Sequence, residues 1–296
     1  MQLIVPSISG GDPLKCSREL ESGNILFFPR IPFDFTAEDR ESLLAAVQSG
    51  SDLHKNVAYR PRQDIVSGLG DGDSAEAEKI RVSLRHFSES AVRFLTQLLP
   101  HYAAHWRLDY ASFRGIEEEG RDLAWKKRND LLHTDAFPTR PTNGDLILRF
   151  FTNINPSRGR VWVTSDPFAN AAERYASDAG LEKFADSGRS AGRVLKRAAK
   201  GLGLPVADRS PYDEFMLAFH DYLKKNEQYQ RDCPKYRFEF PPNSAWMVFT
   251  DVVPHAVLSG QHAVEQTFLI AKDSLADPER APVRILERMS HRRLTH

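Results

Sequence analysis

A chain of 296 residues with 40 Lys+Arg against 40 Asp+Glu carries no formal net charge. It therefore lacks the cation excess needed to coat nucleic acid by bulk charge. Its 41% hydrophobic and 27% charged residues are ordinary globular composition, enough for a sizeable core, and no run approaches the roughly 18 apolar residues of a membrane span.

From the N-terminus, GNILFFPRIPF reads as a strand before a helix, and Thr36-Ala37-Glu38-Asp39 as a helix start that runs to Gly50. Residues 55 to 74 read as a loop. From Ser74, Ile80, Leu84, Phe87, Ala91, Phe94 or Leu95, and Leu98 recur at three and four, which predicts a scaffold helix ending or breaking at Pro100. Strand patterns follow at 145–155, 159–164, 236–240, 245–250 and 264–271, separated between about 165 and 232 by a polar, helical stretch. Short strands without βαβ units predict an antiparallel sandwich or barrel with a helical insertion, within one domain spanning 1–296. Cys16 and Cys233 fit no metal or disulfide spacing. The opening MQLIVPSISGGD lacks the charged region of a secretory leader, so the expectation is a cytoplasmic protein with free thiols.

Three residues could carry metal chemistry. His133 and Asp135 lie two apart on an extended segment before the strand DLILRFF, so their side chains share a face. His255 follows the strand AWMVFT. Were the two regions neighbours, these side chains would form a 2-His-1-carboxylate set, which holds Fe(II) and leaves positions open for oxygen and another ligand. The His-x-Asp triplet alone is weak, since composition supplies such triplets by chance. Its position beside strands, with His255 far along the chain, is what raises it.

The other histidines fit less well. His262 sits in a turn, His220 on an apparent helix, and His101 and His105 lack the intervening glutamate of a zinc peptidase.

An oxygenase using 2-oxoglutarate also needs a cation for the distal carboxylate. Alternation places Ile147, Arg149, Phe151 and Asn153 on one strand face, which makes Arg149, with Asn153 beside it, the candidate. A barrel-lining Arg paired to a protein acid is the competing reading. Arg158, Arg160 and Trp162 read as the site mouth, meeting an anionic substrate or lying as solvated turn residues.

The segments LLHTDAFPTRPTNGDLILRFFTNINPSRGRVW, WMVFTDVVPHAVLSGQ, ESGNILFFPRIPF and HKNVAYRP together resemble the Kdo hydroxylase family. The resemblance covers most of the chain. It implies a double-stranded β-helix (jelly-roll) core, giving a mainly β, α+β protein with N-terminal scaffold helices and the 165–232 insertion. It also implies an Fe(II)- and 2-oxoglutarate-dependent dioxygenase, consuming O2 and stimulated by ascorbate, with His133, Asp135 and His255 as iron ligands. The reaction implied is hydroxylation at C3 of 3-deoxy-D-manno-oct-2-ulosonic acid (Kdo) in Kdo-lipid A, the inner core of lipopolysaccharide. The cosubstrate cation is not fixed by the resemblance.

Such a glycolipid is anionic and lies at a membrane. Arg189, Arg193, Lys196, Arg197 and Lys200 form one helical face in a stretch, 187 to 207, that contains no acid. Arg280, Arg284, Arg288 and Arg292 repeat the theme. Both suit reversible, peripheral contact with an anionic surface on the inner face of the inner membrane, and both also suit solvated helix faces. No nucleic-acid partner is expected. Two alternatives stand beside the leading reading: a same-fold oxygenase acting on a protein side chain or small metabolite, and a non-catalytic β-barrel binding module.

Overall fold

The computed structural model describes residues 1–6, 12–48, 57–69, 74–187 and 208–295. Its strands are β1 (Leu3–Ile4), β2 (Ile25–Phe28), β3 (Val57–Arg60), β4 (Ile65–Ser67), β5 (Trp106–Arg114), β6 (Leu146–Asn153), β7 (Arg160–Thr164), β8 (Tyr236–Phe240), β9 (Ala245–Phe249), β10 (His255–Ser259) and β11 (Ala263–Ile270). They form an eight-stranded sheet in the order β1-β2-β9-β6-β11-β5-β3-β4 and a three-stranded sheet β10-β7-β8. Every pairing is antiparallel except that of β1 with β2. The two sheets face each other as the layers of a jelly roll, so the antiparallel sandwich expected from the strand pattern is the architecture found.

Hydrophobic periodicity explains the centre of the large sheet. All eight residues of β6, all eight of β11 and all five of β9 are buried. A strand covered on both faces reads as a continuous apolar run instead of an alternation. One face of β6 meets N-terminal aromatics: Phe150 lies 5.9 Å from Phe28, 5.7 Å from Phe33 and 6.0 Å from Phe94, between ring centroids. The other face meets the small sheet, where Phe151 sits 4.9 Å from Trp162 and stacks at 5.2 Å on Trp246.

The scaffold helices are α1 (Lys15–Glu21), α2 (Ala37–Gln48), α3 (Ala75–Leu98) and α4 (Pro100–Ala103). Ser74 caps α3 by accepting from the Ala77 N–H, and Pro100 opens a new short helix where the periodicity broke. The stretch read as a loop at 55–74 instead contains the hairpin of β3 and β4, whose turn holds Asp64 at φ 53°. Two strands of three and four residues are too short to show a period. β5 was not anticipated either.

Between β7 and β8 the chain makes α5 (Phe168–Tyr175), α6 (Leu181–Ser187), α7 (Pro211–Lys225) and α8 (Glu227–Asp232), which is the expected insertion. Ser210 and Asp213 form a capping box at the start of α7. The Asp213 carboxylate also accepts the Thr142 and Asn143 N–H groups, tying the insertion to the loop that leads into β6.

The basic stretch 188–207 lies outside the described residues. In the C-terminal segment, which includes α9 (Pro282–Ser290), each arginine faces an acid. Arg280 pairs with Asp277 at 3.1 Å, Arg284 with Asp273 at 2.9 Å, Arg288 with Glu279, and Arg292 with Asp186 at 3.6 Å. That face is a mixed-charge surface and not the bare basic stripe expected from its spacing. Among the described residues, no helix is long and apolar enough to cross a membrane.

Candidate metal centre

His133 and His255 are direct partners across an antiparallel bridge. The His133 N–H donates to the His255 carbonyl at 3.1 Å, and the His255 N–H returns a bond to the His133 carbonyl at 2.9 Å. Two residues on, the Asp135 N–H donates to the Thr250 carbonyl at 2.9 Å. The segment carrying His133 and Asp135 is thus stitched at two points to the chain between β9 and β10, and residues two apart on an extended chain point the same way. The resulting cluster is His133, Asp135 and His255, whose ligand atoms all lie within 4.8 Å of one another.

The insertion holds the ligand segment from behind. Gln230 of α8 accepts from the Leu132 N–H at 3.0 Å and donates to the Leu132 carbonyl at 2.9 Å. His220 of α7 places Nδ1 2.8 Å from the Thr134 carbonyl, with its ring edge-on to His133 at 4.8 Å. His220 was expected to be a packed or surface helix residue; it is packed, and against the candidate ligand His133.

The proton inventory suits a cation. His133 Nδ1 lies 2.7 Å from the Leu131 carbonyl and His255 Nδ1 lies 2.9 Å from the Val253 carbonyl. A carbonyl only accepts, so both Nδ1 atoms carry hydrogen and each Nε2 keeps its lone pair. Burial holds both imidazoles below their usual range, His133 especially, where the neighbouring His255 adds to the effect. Burial pushes the Asp135 carboxyl up, but the Arg149 guanidinium beside it outweighs this and holds the group well below the usual carboxylate range. The Asp135 Oδ2 atom is buried with no hydrogen bond. Two neutral nitrogen donors and one anionic oxygen are the donor set of a facial triad for iron.

Arginines surround the cluster. Arg149 Nη2 lies 3.2 Å from Asp135 Oδ2, and its Nη1 lies 3.4 Å from Glu265. Arg114 grips the same Glu265 bidentately, at 3.1 and 2.9 Å. Register explains the chain of charges. Arg149 pairs with Thr267 and Arg114 with Ala263, so Glu265 sits diagonal to both on one sheet face.

Across the cavity, Arg160 is 1% exposed, donates from Nη1 to the Gly260 carbonyl at 2.7 Å, and keeps its Nε without a partner. Burial, with Arg114 nearby, presses it down to about 10. Gly260, at φ +115°, has Arg160 Cα only 2.9 Å from where a Cβ would stand, so glycine is required for this approach. Trp162 stacks flat on His255 at 5.1 Å and 17°. Arg114, Asn129, Arg149, Phe151, Arg160 and Trp162 line one cavity with the three candidate ligands.

A model of the 3-deoxy-D-manno-oct-2-ulosonic acid (Kdo) hydroxylases matches residues 12–293 of the sequence. The chain belongs to the Kdo hydroxylase family. Among solved structures it is similar to the Kdo hydroxylase KdoO, a non-heme Fe(II) alphaketoglutarate-dependent dioxygenase, in complex with alphaketoglutarate and Fe(III): 32% identity, TM-score 0.84, covering 100% of this chain and 97% of that one. The apo structure of KdoO gives 33% identity and a TM-score of 0.85 over the same shares. No curated protein sequence matches the chain.

Within this Kdo hydroxylase, the three expected ligands come together, and Arg149, Arg160 and Trp162 join them in the cavity wall. Arg160 and Trp162 are buried, not at the mouth. Arg158 is at the exposed turn between β6 and β7, paired with Glu117 at 3.4 Å. Asn153 is spent on its own backbone, donating to the Arg158 and Phe240 carbonyls and accepting from the Asn155 N–H, and it does not line the cavity. Arg114, Asn129, Glu265 and Gln230 were missed. For Glu265 the signal existed: an acid inside an apolar strand, as costly there as Arg149 in its own strand unless the two meet.

Glu265→Gln keeps the shape but leaves two largely buried guanidiniums sharing fewer negative charges. We expect a loss of about 3 kcal/mol or more in stability, read as a lower urea midpoint with an unchanged slope. A shift under about 0.5 kcal/mol would contradict the keystone role.

Proposed function

We propose that this chain is an Fe(II)- and 2-oxoglutarate-dependent dioxygenase that hydroxylates C3 of Kdo in Kdo-lipid A, with His133, Asp135 and His255 as the iron ligands. The observation that carries the reading is the triad itself, two buried imidazoles with free Nε2 and a half-buried carboxylate held anionic, in a chain similar along its whole length to such an enzyme. Iron held there, with 2-oxoglutarate and O2, supplies the oxidation that converts a substrate C–H to C–OH.

The protein's own contribution is placement and electrostatics. The Leu131 and Val253 carbonyls fix the tautomers and ring directions of the two histidines. Arg149 keeps Asp135 ionised while anchored by Glu265. Each arginine keeps a buried Nε without a partner, but Arg149 is paired with two carboxylates, whereas Arg160 has none nearer than Glu118 at 3.9 Å and so gains more from an arriving anion. We assign Arg160 to the cosubstrate carboxylate and Arg149 to holding the iron ligand, which moves the cosubstrate role from the strand-based expectation. Trp162 covers the face of His255 and keeps water from that side.

The substrate is assigned to the cytoplasmic face of the membrane. With the C-terminal arginines paired, we assign peripheral contact to the basic stretch 187–207.

The direct test is anaerobic reconstitution with Fe(II), followed by 2-oxoglutarate, O2 and Kdo-lipid A, and mass spectrometry of the lipid. A gain of about 16 Da, dependent on both iron and 2-oxoglutarate, is expected. Succinate without lipid hydroxylation would point to another substrate, and neither product from folded, iron-loaded protein would overturn the enzyme reading.

Kinetics separate the two arginines. Arg160→Ala should raise KM for 2-oxoglutarate about 10- to 100-fold, the worth of a charge-assisted hydrogen-bonded pair. Arg149→Ala should chiefly weaken iron binding. Reversed effects would return the cosubstrate to Arg149.

A further inference from the structure

A second, larger cleft lies beside the metal centre. It measures about 260 Å³ and is lined by Arg60, Arg62, Arg107 and Arg140 together with Asp109 and Tyr110. Two of the four cations are neutralised: Arg107 by Asp145 at 3.0 Å and Arg140 by Asp109 at 2.8 Å. Among the described residues no acid pairs with Arg60 or Arg62, and the Arg60 Nε–H is buried without an acceptor. The Tyr110 ring carries the guanidinium carbons of both Arg60, at 5.4 Å from its centroid, and Arg140, at 4.0 Å. Asp109 answers the charge of Arg140, which leaves Arg60 on the same ring without a carboxylate partner among the described residues.

Phe137 links the cleft in space to the metal centre. Phe137, two residues after Asp135, lies 4.3 Å from the Arg140 guanidinium carbon and 5.5 Å from that of Arg149. An anion in the cleft is therefore one aromatic ring away from the arginine that holds the metal-ligand carboxylate.

We propose that this cleft is a phosphate-binding subsite, which takes a phosphate monoester while the sugar to be hydroxylated sits at the metal. The two unpaired guanidiniums match the nearly double negative charge of a phosphate monoester at neutral pH, and their planar donor forks match its oxygens. The assignment of that phosphate to the glycolipid rests on the substrate proposed above; the phosphate chemistry itself does not.

The test uses the iron-loaded full chain as wild type, Arg60→Ala and Arg62→Glu. Arg62 is exposed, so its variant tests the cleft even should loss of Arg60 disturb folding. The first arm titrates inorganic phosphate at constant ionic strength by calorimetry. Wild type should bind, and each folded variant should bind at least tenfold more weakly. The second arm compares turnover of Kdo-lipid A with that of the same glycolipid after removal of its phosphates. A tenfold or greater rise in KM for the phosphorylated substrate alone, at unchanged kcat, places the substrate's own phosphate in the cleft. Phosphate binding that depends on both arginines, with KM unchanged on both substrates, assigns the site to free phosphate. Absence of phosphate binding to wild type together with unaltered KM in Arg62→Glu overturns the proposal. Failure of wild type to hydroxylate either glycolipid would overturn the substrate reading while leaving the calorimetric result to stand alone.

Discussion

The reciprocal pair of backbone hydrogen bonds between His133 and His255 is the constraint on which the site depends. It brings together residues 122 positions apart and makes them neighbours across an antiparallel bridge, with adjacent side chains. The third candidate ligand follows from strand geometry, because Asp135 is two residues along and its own N–H is fastened to Thr250. Everything outside the bridge serves to keep it in place. Gln230 and His220 bond to the backbone on either side of His133 from the insertion helices, and Trp162 presses on His255 from the small sheet. The described helices of the insertion therefore act as a buttress for the ligand segment.

The second organising element is a line of alternating charges, Arg114–Glu265–Arg149–Asp135, laid through the inner face of the large sheet. Buried ions are tolerable only when each has a partner. Here the terminal member is the carboxylate that would carry a metal, so its ionisation is set by residues on three strands and the preceding loop. Arg160 stands apart, fully buried, with a backbone carbonyl as its close partner and Glu118 at 3.9 Å. The asymmetry between the two arginines lies in their carboxylate partners, two within 3.4 Å of Arg149 and none nearer than 3.9 Å to Arg160.

Much of this was legible in the sequence. The apolar runs of β6, β9 and β11 gave strands within two residues of those found, because burial on both faces leaves no doubt about the core. The His-x-Asp triplet and His255 were legible as candidate ligands because each adjoins such a run, and the structure brings the three together. What was not legible depended on side chains that alternate in polarity or on elements too short for a period. β5, with charged Arg107 and Asp109 breaking its apolar pattern, hid Arg114, and the hairpin of β3 and β4 hid Arg60 and Arg62. Arg160 was misplaced at the mouth because a turn-flanking arginine is usually solvated; its burial follows from the close approach that Gly260 permits. Asn153 shares the face of Arg149 by alternation, but it lies at the strand end, where the turn to β7 claims its amide.

The central claim is that three side chains brought together by one β-bridge hold one metal ion. Anaerobic equilibrium dialysis of Fe(II) against the wild-type chain and against Asp135→Ala and His255→Ala measures it directly. The account predicts one iron per chain in wild type and a loss of affinity on the order of 100-fold or more in each variant, with the fold retained. Undiminished stoichiometric binding in both variants would contradict it, since the iron would then be held elsewhere.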